Sequence, residues 1–266
     1  MPPRPAALLA ALAALWTSGP ALAADSLGLR LPGVLRVLVS ADEMPEVFSF
    51  EARAATPGFE RELLEGFTRA QKLELRMVPV KSFEQIIPLL VRGEGDLIVG
   101  IVDTPARRQR ISFTSEVYPV RHMVVTRKPR PPVASAAELR PLRVAVIPGT
   151  TWAEATAEAG VGAALQVPVN DTNEALDALR KGRAEATVMA VFDFALARRH
   201  DPALEAGVFL GAPGVAAWGV RKEDGRLQAA LNDYLLTARM SPAKSALLVK
   251  YFSEDALLLL RRARKE

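Results

Sequence analysis

The chain has 266 residues, 50% of them hydrophobic, with a formal net charge of +4. It has no cysteine, which excludes a disulfide framework, a thiolate zinc site, a cysteine nucleophile and a lipidated N-terminal cysteine. Its two histidines, His122 and His200, are far apart and argue against a histidine-rich metal centre. The basic clusters (Arg107, Arg108 and Arg110; Arg261, Arg262, Arg264 and Lys265) lack the interleaved aromatics of a nucleic-acid surface. The second closes a helical segment, where cations favour the helix dipole.

The N-terminus carries Arg4, an apolar run over 6–16, and Ala21-Leu22-Ala23. A basic start, a short apolar stretch and an A-x-A site define a cleavable secretory signal over 1–23. The run is shorter than the roughly 20 residues that span a bilayer. The expected compartment is therefore the periplasm, with no lipid anchor.

In chain order, the apolar run over 35–39 predicts a strand ending at Ser40-Ala41-Asp42. Phe59, Leu63, Leu64 and Phe67 recur at helical spacing and predict a helix over 59–71. A strand over 73–80, a helix from Ser82 to Val91 and a strand over 96–101 complete a βαβαβ unit, the pattern of a parallel sheet. A proline-rich linker follows over 127–134. The pattern then restarts: strand 142–147, helix 152–159, strand 165–169, helix 173–180, strand 186–191 and helix 192–199. A strand-like segment over 214–220 precedes helices over 226–240, 242–251 and 253–264. These last helices have no sheet of their own and are expected to pack on the first unit. The chain would then cross between two lobes twice, near 122–128 and 214–221, as in a hinge. Ligands of open α/β sheets bind beyond the carboxyl ends of the strands, which here would share one cleft.

One short stretch carries the clearest chemistry. Thr104-Pro105-Ala106-Arg107 follows the apolar strand and starts a helical turn that aims one arginine back at the strand end, a natural carboxylate site. Together with Gly58-Phe59-Glu60-Arg61-Glu62-Leu63, Phe83 to Pro88, Gly95-Asp96-Leu97-Ile98, Gly149-Thr150-Thr151 and Trp218-Gly219-Val220-Arg221-Lys222, it resembles, in order and spacing, the family 3 extracellular solute-binding proteins. These are the amino-acid-binding components of bacterial ABC importers. The resemblance implies a type II, Venus-flytrap α/β fold with two doubly wound sheets and a two-stranded hinge. Lobe 1 would comprise 24–125 and 214–266, and lobe 2 would comprise 126–213. It also implies that Arg107 grips a ligand carboxylate with Thr104 beside it. Backbone N–H groups of Thr150 and Thr151 would meet the same carboxylate, Phe83 would pack on the ligand, and Asp42 would make side-chain contacts. Asp96 is read as ordering a turn, and Tyr118 and Trp218 as hinge or core packing. No cofactor or metal is expected.

The pattern also breaks. Amino-acid binders of this kind usually carry an aspartate for the α-ammonium at the position of Ala190. Asp193, three residues on, either substitutes for it or caps a helix, and an amine-free carboxylate fits Ala190 better. A shortened segment before Thr104 is expected to bring Asp103 near Arg107 and partly neutralise it. The expected function is capture of a small carboxylate solute, as a monomer, for an inner-membrane ABC permease, without catalysis. The alternatives are a sensory or regulatory domain like that preceding the catalytic domain of membrane-bound lytic murein transglycosylase F, and a dehydratase of the same fold using Glu185 or Asp193. The chain ends at Glu266, soon after the last expected helix, so no catalytic domain is expected behind the fold.

Overall fold

The computed structural model describes residues 26–41, 43–240 and 242–263. The signal segment expected over 1–23 lies outside them. Strand β1 (Val34–Ser40) is almost wholly buried and pairs in parallel with β2 (Glu74–Val80) and β3 (Leu97–Val102). A short helix, α1 (Pro45–Phe48), precedes α2 (Phe59–Gln71). The latter buries Phe59, Leu63, Leu64 and Phe67, as the helical spacing requires. It stops at Lys72, which adopts the left-handed conformation at φ 56°. A single turn, Phe83–Gln85, leads into α3 (Ile86–Arg92), and α4 (Pro105–Arg108) follows β3.

The second unit contains α5 (Ala136–Leu139), β5 (Val144–Val146), α6 (Thr151–Glu158), β6 (Gln166–Pro168), α7 (Thr172–Arg180), β7 (Ala186–Ala190) and α8 (Val191–His200). Here β5 runs parallel to β6 and β7. The two half-sheets expected from the sequence are joined into one eight-stranded sheet of order β2-β1-β3-β8-β4-β7-β5-β6. The joint is an antiparallel pair of long strands, β4 (Ser112–Arg127) and β8 (Leu204–Val220), which runs through both lobes. On one side β8 pairs with β3 through Ala216 to Gly219, and on the other β4 pairs with β7 through His122 to Val125. The change of partner falls between Tyr118 and His122, and the β4–β8 register shifts there between Val120 and His122. Such irregularities bend and twist a strand pair.

Helices α9 (Gly225–Met240) and α10 (Pro242–Ala263) complete the chain. The two helices expected over 242–264 form one continuous helix, and α10 packs on α8 as well as on α2. Phe252 of α10 stacks on Phe192 of α8 at 4.3 Å and lies 5.4 Å from Phe59 of α2. Tyr118 of β4 lies edge-on to Phe59 and Phe192 at 5.8 and 5.5 Å. One apolar core, reaching from Leu35 to Leu179, therefore runs through both lobes.

Asp96 binds Arg36 with both oxygens, at 3.0 and 2.7 Å, and Arg221 at 3.2 Å. It is fully buried, and Arg221 is 2% exposed. This agrees with a structural rather than a ligand role for Asp96. Asp96→Asn should cost about 3 kcal/mol in urea unfolding, because a buried arginine loses a charged partner. Glu94→Gln, which breaks an exposed pair with Arg92, should cost less than about 1 kcal/mol.

Candidate functional site

The carboxyl ends of β1, β3 and β7 and the segments after β5 and β6 converge on one cleft, lined in part by Ser40, Val102, Ile147, Asn170 and Ala190. Tyr118 and Val120 of β4 form its floor with Ala216 of β8, and α6 and α7 direct their N-termini at it through Thr150, Thr151 and Thr172. Free N–H groups and positive potential at such termini suit an anion.

Arg107 lies in α4, with its backbone N–H capped by the Thr104 hydroxyl at 3.3 Å. Thr104 thus shapes the turn and is not among the residues lining the cleft. The Arg107 guanidinium donates to Val102 O at 2.8 Å in one lobe and to Gly149 O at 3.0 Å in the other. It also lies 5.5 Å from the Phe83 ring centroid, and both side chains line the cleft. Arg107 is 7% exposed. Burial pushes its pKa down, opposed by the charge of Glu154. A guanidinium stays charged all the same. Among the described residues no carboxylate lies within ion-pair distance of it. Asp103 pairs with Arg108 instead, which corrects the expectation that it would neutralise Arg107. Successive residues of a helical turn point about 100° apart, so Arg107 faces the cleft while Arg108 faces solvent. Asp103→Asn should therefore change ligand affinity by less than about threefold in titration calorimetry, the scale of an exposed pair.

Thr150 caps α6: its hydroxyl accepts from Ala153 N at 3.3 Å and donates to Ile147 O at 2.7 Å. Its N–H already donates to Ile147 O. Of the two N–H groups expected to meet a carboxylate, that of Thr151 keeps the helix-start position. The Thr151 hydroxyl lies 2.9 Å from His122 Nε2. Burial, with Arg121 and Arg107 nearby, pushes His122 down to about 4, so its ring is neutral at pH 7. Asp42 lies outside the described residues.

The opposite side of the cleft is acidic. Glu43 and Asp193 line it, beside Ala190. Asp193 is the third residue of α8, and its carboxylate accepts from the N–H of Ala190 at the helix start. It therefore closes the helix end and faces the cleft at once. Behind them Glu60 accepts from Gly100 N at 3.2 Å, from Trp218 Nε1 at 2.9 Å and from the Tyr118 hydroxyl. Burial pushes Glu60 and Asp193 up to about 7, and burial together with Asp193 and Glu60 pushes Glu43 up to about 8. Glu185 is not part of this site: it pairs with Arg130 and Arg143 at the other end of β7.

Sequence reasoning missed Glu43 and Glu60 as site residues. Glu60 sat inside the helix-start motif, and Tyr118 and Trp218, read as packing aromatics, both bind it. Glu43 had no signal beyond its place after a strand end. Among the described residues no group of histidine, cysteine or acidic side chains is arranged to hold a metal. No described helix is long and apolar enough to cross a membrane.

Comparison with known proteins places this architecture. A mutant of ArgBP from T. maritima matches at a TM-score of 0.77 with 27% identity, over 87% of this chain and 100% of that one. The arginine-bound form of truncated ArgBP matches at 0.70 with 26% identity, over 77% and 96%. An ancestral amino acid-binding protein, a precursor of cyclohexadienyl dehydratase, shares the fold at 0.74 and 24% identity, over 83% of this chain and 96% of that one. Among curated sequences, membrane-bound lytic murein transglycosylase F of Pseudomonas putida is 25% identical over 85% of this chain and 47% of its own length. That of Aeromonas hydrophila is 29% identical over 78% and 44%. The chain thus spans under half the length of these relatives. The model of the bacterial extracellular solute-binding proteins, family 3, matches residues 35–254, and the chain belongs to that family.

Proposed function

We propose that this protein captures a small carboxylate-bearing solute between its lobes in the periplasm, as a monomer, and delivers it to an inner-membrane ABC permease. The observation that carries the reading is Arg107: a buried cation in the cleft that touches backbone of both lobes and has no carboxylate partner among the described residues. A ligand carboxylate supplies that partner, and the helix start at Thr151 adds a donor on the other lobe. The arginine bound to truncated ArgBP from T. maritima supports the same solute class. The alternative is a sensory or regulatory domain, favoured by the sequence match to lytic transglycosylase F.

A thermal-shift screen of the exported chain against amino acids and amine-free carboxylates tests the reading. A ligand that binds only the folded state adds about 2.7 kcal/mol at one hundred times its dissociation constant. A shift abolished by Arg107→Ala supports carboxylate capture. A shift unaffected by that change overturns it. An unchanged ligand spectrum by NMR after long incubation agrees with binding, and conversion of the ligand would make the protein an enzyme.

A further inference from the structure

The two lobes touch at the edge of the cleft through a bare glycine. Ile147-Pro148-Gly149-Thr150 is a tight turn closed by the Thr150 N–H on Ile147 O, with Gly149 at φ +77°. Proline followed by a glycine in the left-handed region is the pattern of a type II turn. The turn hands the chain directly to α6, whose first residue is Thr151. A Cβ placed on Gly149 would lie 2.7 Å from Glu84 Cγ and 3.3 Å from Glu84 Cα. The turn Phe83–Gln85 of the first unit therefore rests on the Gly149 backbone and leaves no room for a methyl group between them.

The groups around this contact belong to the carboxylate site. The Gly149 carbonyl accepts from Arg107 at 3.0 Å, and Phe83, next to Glu84, has its ring centroid 5.5 Å from the same guanidinium. Pro148 and Glu84, with Lys81 and Pro168, line a hollow of about 320 Å³ outside the cleft. Thr150 and Arg107 line the cleft itself. Gly149 thus stands at the border between the two.

Resting on the carboxylate-capture reading, we infer that Gly149 and Glu84 are positioning residues for ligand capture: their contact sets how far the lobes close. Arg107 holds a carboxylate from one lobe and the Thr151 N–H meets it from the other. The two act together only at the separation that this contact permits, because a hydrogen bond weakens steeply outside its distance range. A side chain at position 149 wedges the lobes apart and withdraws the Thr151 N–H. The role of Gly149 is therefore steric as well as conformational, and the two are separable. Gly182, in the loop between α7 and β7, has φ +66° and nothing within 4 Å of its Cβ position. Alanine there carries the same left-handed strain and meets no neighbour.

The chain has no cysteine, so Val91→Cys on α3 and Glu158→Cys on α6, both exposed, accept a pair of nitroxide labels cleanly. Double electron–electron resonance then reads the distance between the lobes, without added carboxylate and with L-alanine or valerate at millimolar concentration. Titration calorimetry on the exported chain reads the affinity for both probes. The native chain should show the inter-lobe distance of this structure. Gly149→Ala should move that population to longer distances and weaken binding at least about tenfold, the scale of an overpacked contact. Glu84→Ala added to Gly149→Ala should restore the short distance and most of the affinity, as expected of two groups in direct contact. Gly182→Ala should lower the melting temperature as Gly149→Ala does, yet keep the native distance and affinity. Unchanged distances in Gly149→Ala, equal opening in Gly182→Ala, or no rescue by Glu84→Ala overturns the inference. So does a native chain that never shows the short distance. The distances decide the closing contact even where neither probe binds. The expected distances, with probe binding indifferent to Arg107→Ala, keep the closing contact and sink the carboxylate reading. Probe binding abolished by Arg107→Ala and untouched by Gly149→Ala does the reverse.

Discussion

Arg107→Ala should lower the affinity for any carboxylate ligand by about two to four orders of magnitude. The guanidinium is the cleft's buried fork of donors, and each charge-assisted hydrogen bond to a carboxylate contributes about 1.5–3 kcal/mol. Two such bonds amount to roughly 3–6 kcal/mol, and about 1.4 kcal/mol is one decade in affinity. Stability should respond much less. The substitution leaves Val102 O and Gly149 O without this donor, yet both lie beside a polar cleft that water can enter. It also removes a cation whose burial is costly. Arg107→Lys sharpens the test: the charge stays, but a single ammonium cannot reproduce the planar fork or span Val102 and Gly149 together. It should bind more weakly than the native chain and more tightly than the alanine variant. Equal affinity in all three proteins, measured by calorimetry with melting curves as the folding control, would place the carboxylate elsewhere.

Helix α2 was legible because its apolar face repeats at 3.6 residues, and it forms over the predicted span. The central parallel strands β1, β3, β5 and β7 were legible as apolar runs, since a strand buried on both faces needs no alternation. Strand β4 was not. It carries Glu116, Pro119, Arg121 and His122, its register shifts repeatedly, and its two halves face different lobes, so no single period survives. The glycines and Pro213 of β8 hid most of that strand in the same way. In α10, Ser253 reads as a helix start, but packing of Tyr251, Phe252 and Ala256 carries the helix through it. Tertiary burial outweighs so weak a local preference.

The site divides along the same line. Arg107, Phe83, Thr150 and Thr151 were readable because each sits in a short motif whose local geometry fixes its direction. Of the acidic end only Asp193 was, three residues past Ala190; Glu43 and Glu60 come from two other elements and meet it only when β1, α2 and α8 are packed. Ala190, read alone, pointed to an amine-free ligand. The three-dimensional neighbourhood of Ala190 contains the acids that its own strand lacks.

Phe252→Ala should destabilise the protein by about 3–5 kcal/mol, the range for truncating a fully buried aromatic. At 2–4 °C per kcal/mol for a domain of this size, the melting temperature falls by roughly 10 °C. Leu258→Ala, on the same helix but 58% exposed, should shift it little and serves as the control. The consequence reaches beyond stability. Phe252 touches α8 through Phe192 and α2 through Phe59, so the C-terminal helix holds elements of both lobes. It also lies against Tyr118, at 6.2 Å between ring centroids. The Tyr118 hydroxyl bonds Glu60, so the cavity left by Phe252→Ala frees the ring that backs the acidic end of the cleft. Affinity for a carboxylate ligand found by the thermal-shift screen should fall in this variant at temperatures well below its melting point, while Leu258→Ala binds normally. A stable Phe252→Ala protein with native affinity would show that α10 decorates the fold. The expected pair of losses would show that it braces the hinge and the site together.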